Sequence, residues 1–289
     1  MRKLIPGLFL LIITSTAFGQ KVSGKLKFDQ GNTLTINMEV TSTMAQQTAN
    51  QAIDFSTEGS VTHMYKVTNA TDNSTTLRHT VQRLSFRFDG MGQKRSYDSD
   101  IAKDRESQFG KQFTEIISKK YDIVIDTTGK TRMTIPSKIE LSQQDQRLMI
   151  ISNMLRDVTS IIYPPQKGTA SFFKVMPAWE VGVGDTWTDT TSSADETSAT
   201  SYTLSEIGDS TLTVDFKSIS VNMIRSEIMG RQVATNITSA AVGKIILDRA
   251  TGIIQKKTAT INSNGTAEAL GSTLPISGKI TISIFVKQE

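Results

Sequence analysis

Apolar and polar residues alternate with period two along most of the chain. Leu34, Ile36, Met38 and Val40 interleave with Thr35, Asn37 and Glu39. Val22, Leu26 and Phe28 are in phase ahead of the turn Asp29-Gln30-Gly31-Asn32. Ile280, Ile282, Ile284 and Val286 repeat the signal before the polar end Lys287-Gln288-Glu289. Strict alternation makes strands with one packed face and one wet face, as in antiparallel sheets. Threonine is frequent at these positions and fits the pleated surface better than a helix.

Two stretches break the rhythm. From Ser99 or Asp100, either of which would serve as a cap, a short helix is expected up to Lys120, with Phe109, Phe113, Ile116 and Ile117 on one face. Gly110 weakens it. Glu140 to Ser160 is the stronger helix, since Leu148, Ile151, Leu155, Val158 and Ile162 recur at helical spacing. Tyr163-Pro164-Pro165 stops it, because proline lacks a donor and restricts its predecessor. Thr190 to Ser201, rich in Ser, Thr and Ala, reads as a loop or a solvated edge. The expected class is mainly β with minor α: curved antiparallel sheets in two half-barrel-like or β-sandwich-like units with a central helix. The expected division is a signal peptide at 1–19, a β unit at 20–137, a helical connector and Pro turn at 138–168, and a second β unit at 169–289.

The segment 1–19 carries basic Arg2 and Lys3, an apolar centre from Leu8 to Ile13 and Ala17-Phe18-Gly19 before Gln20. That is the layout of a secretory signal peptide, and its apolar run is too short to span a bilayer comfortably. Export to a periplasm or cell envelope is expected, with extracellular release the alternative. No other segment reaches 18 apolar residues, so no transmembrane helix is expected in the mature chain. The absence of cysteine excludes disulfides, thiolate metal sites, a cysteine nucleophile and a lipoprotein anchor. Removing residues 1–19 lowers the formal charge from +4 to +2 over 270 residues, which gives no reason to invoke nucleic acid.

A faint internal duplication is also legible. Gly31-Asn32-Thr33-Leu34-Thr35 resembles Gly184-Asp185-Thr186-Trp187-Thr188, and Tyr65-Lys66-Val67-Thr68 resembles Tyr202-Thr203-Leu204-Ser205. The phase set by Leu77, His79 and Val81 shifts to Leu84, Phe86 and Phe88. That of Leu212, Val214 and Phe216 shifts to Ile219 and Val221. Paired shifts suggest a β-bulge in each copy. The copies would close on Asp126 to Gly129 and Asp248 to Gly252. Offsets of 153, 137 and 123 residues require insertions and deletions between the matched strands.

The same landmarks carry a resemblance. Val181-Gly182-Val183-Gly184-Asp185-Thr186-Trp187, the later Ile246-Leu247-Asp248 with Thr251-Gly252, the Asp126 to Gly129 turn and the Ala-Phe-Gly-Gln leader end resemble an uncharacterised exported family of Bacteroidota, a domain of unknown function. The resemblance would extend over nearly all of the mature chain. It implies a cell-envelope location and supplies no catalytic residues.

Chemical motifs are scarce. No G-x-G-x-x-G, P-loop or H-E-x-x-H is present. Val181 to Gly184 leads into a Thr/Trp strand, not the helix N-terminus that holds phosphate, so it reads as a turn admitting Trp187 to the core. His79 shares a phase with Leu77 and Val81 and reads as a hydrogen-bonded core histidine, with a cleft-facing base as the alternative. His63 reads as a surface or edge residue. Asp98, Asp100 and Asp104 lack EF-hand spacing and read as capping and solvated carboxylates. Asp122, Asp126 and Asp248 nominate no glycosidase pair. Lys94-Arg95 and Lys119-Lys120 are isolated basic pairs without a nucleic-acid platform around them. No catalytic, metal or cofactor residue is nominated.

The functional expectation is an exported, non-enzymatic envelope binding or scaffold protein whose ligand is hydrophobic or lipid-like, or whose partner is an envelope protein. Two alternatives stand: an envelope hydrolase with a dispersed site using His79 as general base, and a protein–protein interaction module. An outer-membrane barrel is disfavoured by poor aromatic belts and the polar C-terminus. Oligomeric state is not legible.

Overall fold

The structure is a computed structural model that describes residues 20–47, 52–107, 110–139, 149–193, 195–228, 231–269 and 272–289. The expected leader at 1–19, Phe109 and the expected helical residues 140–148 lie outside the described residues.

The strands are β1 (Lys21–Val22), β2 (Thr33–Gln47), β3 (Ala52–Ala70), β4 (Ser74–Gly90), β5 (Gln93–Asp98), β6 (Tyr121–Asp126), β7 (Thr131–Ile135), β8 (Val181–Gly182), β9 (Thr186–Ser192), β10 (Glu196–Ile207), β11 (Thr211–Ile228), β12 (Arg231–Asp248), β13 (Ile254–Ala269) and β14 (Ser272–Gln288). The helices are α1 (Ala102–Glu106), α2 (Gly110–Ser118), α3 (Met149–Met154) and α4 (Arg156–Thr159), followed by a 3-10 turn at Ser160–Ile162. The chain is mainly β with minor α. Twelve strands form one antiparallel sheet in the order β7-β6-β4-β3-β2-β14-β13-β12-β11-β10-β9, with β5 also on β4; β1 and β8 form a small separate ladder. β2 pairs with β14, so early and late strands share this sheet.

The sheet is curved and does not close into a barrel. Its curvature follows from three sets of contacts. In a flat sheet, the six ladders from β3 to β10 would span about 29 Å. Yet α4 binds His63 on β3 through the Val158 carbonyl, while the adjacent Asp157 carboxyl lies within electrostatic reach of Lys257 on β13 and Glu196 on β10. Consecutive residues Leu26 and Lys27 bond the β6–β7 turn at Thr127 and the β12–β13 turn at Thr251. At the same end, segment 168–175 joins both sheet edges. Thr131 of β7 donates to Thr169, Lys174 pairs with Asp189 of β9 at 2.6 Å, and the Trp187 indole donates to Val175. Seven residue steps reach at most about 25 Å, whereas the ten ladders between those edges would span about 48 Å if flat. The sheet therefore wraps around α3, α4 and segment 168–175.

The alternation read from sequence places side chains on the two faces. Leu34, Ile36, Met38 and Val40 are buried, as are Ile282 and Ile284. Trp187 is buried behind the turn at Gly184, whose φ of 91° is the left-handed conformation glycine accepts cheaply. Asp126 and Asp248 each take backbone N–H groups and a threonine hydroxyl on one carboxylate oxygen, which closes two matching turns.

Several expectations are corrected. The first helix is split into α1 and α2, and its cap is Ile101, without a side-chain bond. Ser99 is occupied by the Leu84 N–H and Asp100 by Arg83, so neither is free to cap. Of the two readings of Thr190 to Ser201, the solvated edge holds: Thr190 to Ser192 finish the edge strand β9 and Glu196 to Ser201 begin its neighbour β10. The phase shift in β4 is a true register shift opposite Thr62 and His63. The matching bulge expected after Phe216 does not form. β11 pairs with β12 in unbroken register through Ile219 and Val221, and the shift lies instead at Leu204/Glu206. The physical reason is that the face of Phe216 continues with the small polar Ser218, Ser220 and Asn222, while Ile219 and Val221 point outward. The case for duplication then rests on the paired turns alone.

Candidate functional site

The covered face of the sheet has two parts. The first, on β3, β4 and β6 beneath α4, is an aromatic polar cluster. The His63 Nδ1 lies 3.1 Å from the His79 Nε2, and the His63 Nε2 lies 3.0 Å from the Val158 carbonyl. A carbonyl only accepts, so the His63 Nε2 carries the proton and, in the neutral ring, its Nδ1 accepts. The His79 Nε2 is then the donor, and the His79 Nδ1 is a bare lone pair, without a partner among the described residues. One carbonyl thus fixes both tautomers. Tyr121 donates to the Ile161 carbonyl at 2.7 Å and therefore accepts from the Tyr65 hydroxyl at 3.0 Å. The His79 ring stacks on Tyr121 with centroids 4.6 Å apart.

Burial dominates the electrostatics of this cluster. It lowers His63 to about 4, against the raising effect of the Val158 bond. Together with repulsion from His63 it lowers His79 to about 3. It raises both tyrosines. His79 is a hydrogen-bonded core histidine, as its phase predicts. His63 is not at the surface: both rings are 0% exposed. His63 shares the covered phase of Val61, Tyr65 and Val67, a signal present in the sequence but outweighed by its polar type. A general base needs a route to a solvent-borne substrate. His79 sits among Tyr65, Tyr121 and His63, so this geometry gives the hydrolase alternative no support.

The second part lies on β11 to β14 and the adjoining ends of β2 and β3. Cross-strand pairing lines up Ser218, Ala241, Ile261, Ile280 and Ser42, and beside them Ser220, Ser239, Ser263, Gly278 and Met44. Met44, Ile53, Ala241, Ile261 and Ile280 are apolar yet only half-buried. The Ser239 and Ser263 hydroxyls bond at 2.8 Å, and those of Thr200 and Ser218 at 2.9 Å. Small side chains on a covered face leave room that large ones would fill. This strip of the inner face, the trough, is apolar toward β14 and β2 and hydroxyl-rich toward β10 and β11.

A cation stands at its inner end. Lys257 lies between buried Ile245 and Ile284 in the cross-strand rows, and its Nζ sits 5.1 Å from the Phe216 ring centroid. Gly243 makes room for that ring, since a Cβ there would strike it. Dehydration lowers the Lys257 pKa, and Asp157 on α4 partly opposes this. Dehydration likewise raises Asp157, with Arg156 and Lys257 lowering it and Glu196 raising it. Among the described residues Lys257 makes no direct ion pair; Asp157 acts on it through space. Sequence reasoning missed Lys257. Its signal was a cation in the apolar phase of Ala259 and Ile261.

The remaining candidates are structural. Arg83 holds Asp98 through two bonds and also pairs Asp100, while Asp104 accepts the Asp98 N–H. Asp122 is held by Arg78. Lys94 pairs with Asp89 and Lys119 with Glu115. On the outer face, Ile219, Val221, Met223 and Val242 form an exposed apolar group on β11 and β12. Among the described residues no helix is long and apolar enough to cross a membrane.

A profile of a family of unknown function, DUF6263, matches residues 166–254. The match includes the Val181 to Trp187 and Asp248 to Gly252 motifs and is narrower than the whole-chain resemblance expected from them. No match was found among curated proteins. Among solved structures, lipovitellin, described for its lipid–protein interactions, is 10% identical over 90% of this chain, with a TM-score of 0.44. This chain spans 26% of that one. An outer membrane channel from Pseudomonas putida F1 is 8% identical, with 91% of this chain and 98% of that chain covered and a TM-score of 0.24. The beta domain of the Bordetella autotransporter Brka is 10% identical, with 87% and 98% covered and a TM-score of 0.26. At these values the likeness carries nothing about ligand or location.

Proposed function

We propose that the chain is a non-enzymatic binding protein that takes a hydrophobic or lipid-like ligand against the covered face of its sheet, and that it acts in the periplasm or cell envelope after export, without a lipid anchor. One observation carries the binding reading: a covered face whose apolar residues Met44, Ile53, Ala241, Ile261 and Ile280 stay only half-buried beside a run of serines and glycines. Apolar residues that pack at the margin of a core and stay half-exposed gain by burying an apolar ligand. The hydroxyl rows on β10 and β11 would pair the ligand's few polar atoms. The basic and apolar pattern of residues 1–19 supports export, and the absence of cysteine leaves no residue for a lipoprotein anchor.

The test is titration with an environment-sensitive apolar dye, followed by extraction and mass spectrometry of the purified protein. Dye fluorescence is expected to rise saturably, and Ala241→Phe is expected to abolish the rise while leaving the thermal melt in place. Equal dye binding by the folded variant would overturn the trough as the site. A second reading, a protein interaction module, is favoured by the exposed group Ile219, Val221, Met223 and Val242. In that case dye binding would fall on Ile219→Lys and survive Ala241→Phe.

A further inference from the structure

We infer that the ligand carries an anionic head on an acyl chain, and that Lys257 is the residue that receives the head. This rests on the trough reading above and names its ligand class. Lys257 is placed where a lysine needs a reason. Its cross-strand neighbours Ile245 and Ile284 are buried, and its ammonium lies over the Phe216 ring, which holds a cation but neutralises none of its charge. A cation taken from water is costly unless a charge and hydrogen bonds replace its hydration shell. Asp157 acts on it only through space and is weakened as a partner by its own dehydration and by Glu196. Arg156 competes for the same carboxylate. The three donors of Lys257 are therefore available to an incoming anion.

The geometry beyond Lys257 gives that anion its tail. Along the same face of β13, beyond buried Ala259, come half-buried Ile261, Ser263 and Gly265. From Lys257 to Ser263 the strand rises about 20 Å, the scale of a long acyl chain laid along the trough. A carboxylate at Lys257 and a chain toward Ser263 satisfy both ends with one molecule.

Oleate, oleyl alcohol and acetate separate the possibilities by dye displacement from the full mature chain. Oleate is expected to displace the dye at roughly tenfold lower concentration than oleyl alcohol, the gain of one charge-assisted contact. Acetate at equal concentration is expected to leave the dye in place. Lys257→Met should erase the preference for oleate and keep alcohol binding, while Lys257→Arg should retain the preference. Should Lys257→Met fail to fold, Asp157→Asn, which removes the competing carboxylate, should tighten oleate several-fold. Equal binding of oleate and the alcohol by the wild type, or an unchanged preference in Lys257→Met, overturns the role of Lys257 while the trough stands. Displacement by acetate alone makes the ligand a small anion and overturns the acyl class. Failure of both amphiphiles overturns the trough and this inference together.

Discussion

The covered faces of β3–β6 and of β11–β14 share strand geometry and differ in what fills them. Over the first, Tyr65, Phe86, Tyr97 and Phe113 are buried, with Ile151, Leu155 and Val158 packed in from the helical segment. Gly59 is a glycine because Leu155 occupies the space of its missing side chain. Polar atoms there are matched through His63, Val158, Tyr121 and Ile161, with the His79 Nδ1 left over. Over the second, the rows are Ser218, Ala241, Ile261 and Ser220, Ser239, Ser263, and the apolar residues among them are half-buried. The first region spends its sheet on stability. The second keeps apolar surface half-exposed, as the proposed binding face requires. A sheet that wraps without closing allows both in one fold, because its curvature brings helices over some strands while the longer ones run past them.

The sharpest way to break this contrast is to truncate one residue in each region. Leu155→Ala removes a fully packed side chain beside Gly59 and is expected to cost about 3 kcal/mol in urea unfolding. Ile261→Ala removes an equally apolar side chain that is only half-buried, and its expected cost is about 1 kcal/mol. Equal costs would mean that the second region is as filled as the first, and the trough would be lost with the contrast.

The next largest effect is on pH dependence and belongs to the first region. Unfolded, both histidines bind protons near pH 6.5. Folded, His63 waits until about 4 and His79 until about 3. The unfolded chain therefore holds more protons in between, so their contribution is intact above pH 6.5 and lost as pH falls through 4. The shift at His63 alone corresponds to about 3 kcal/mol. Urea midpoints measured from pH 7 to pH 4 should fall steeply in the wild type and less in His79→Phe, which keeps the ring stack on Tyr121. Matching slopes would show that the pair is hydrated and that this region is not closed.

How far the sequence discloses these regions depends on side-chain type. Apolar alternation at Leu34 to Val40 and Ile280 to Val286 marks strands and their buried face, because period two is a property of the pleat. The Asp126 and Asp248 turns are legible because Asp, Thr and Gly do their work locally. His63 misleads because a polar ring in an apolar phase looks like an edge residue until Val158, 95 residues away, supplies its acceptor. The bulge expected near Ile219 misleads in the opposite way. Serines on the covered face are mistaken for the wet side, since nothing local says that Ser218 and Ser220 face inward. Lys257 is hidden for the same reason: its neighbours Ile245, Ile284 and Phe216 are distant in sequence, and Asp157 lies on another element. Residues that satisfy themselves within a few positions are readable; those that depend on wrapping the sheet are not.

The smallest expected effect falls where the regions differ most in the worth of a hydroxyl. Ser239 and Ser263 bond to each other at 2.8 Å on the trough face. Both side chains are half-buried, so when one is removed the other should recover its bond from water, and Ser263→Ala should cost about 0.5 kcal/mol or less. A fully enclosed partner would have no water to turn to, and the orphaned Ser239 hydroxyl would cost about 1–3 kcal/mol. Urea unfolding of Ser263→Ala beside Ser239→Ala and the double variant resolves the two cases, because the cycle isolates the pair. A coupling near zero keeps the trough wet when empty. A large coupling would place these serines in a dry, closed interior like that around Tyr65 and Tyr121.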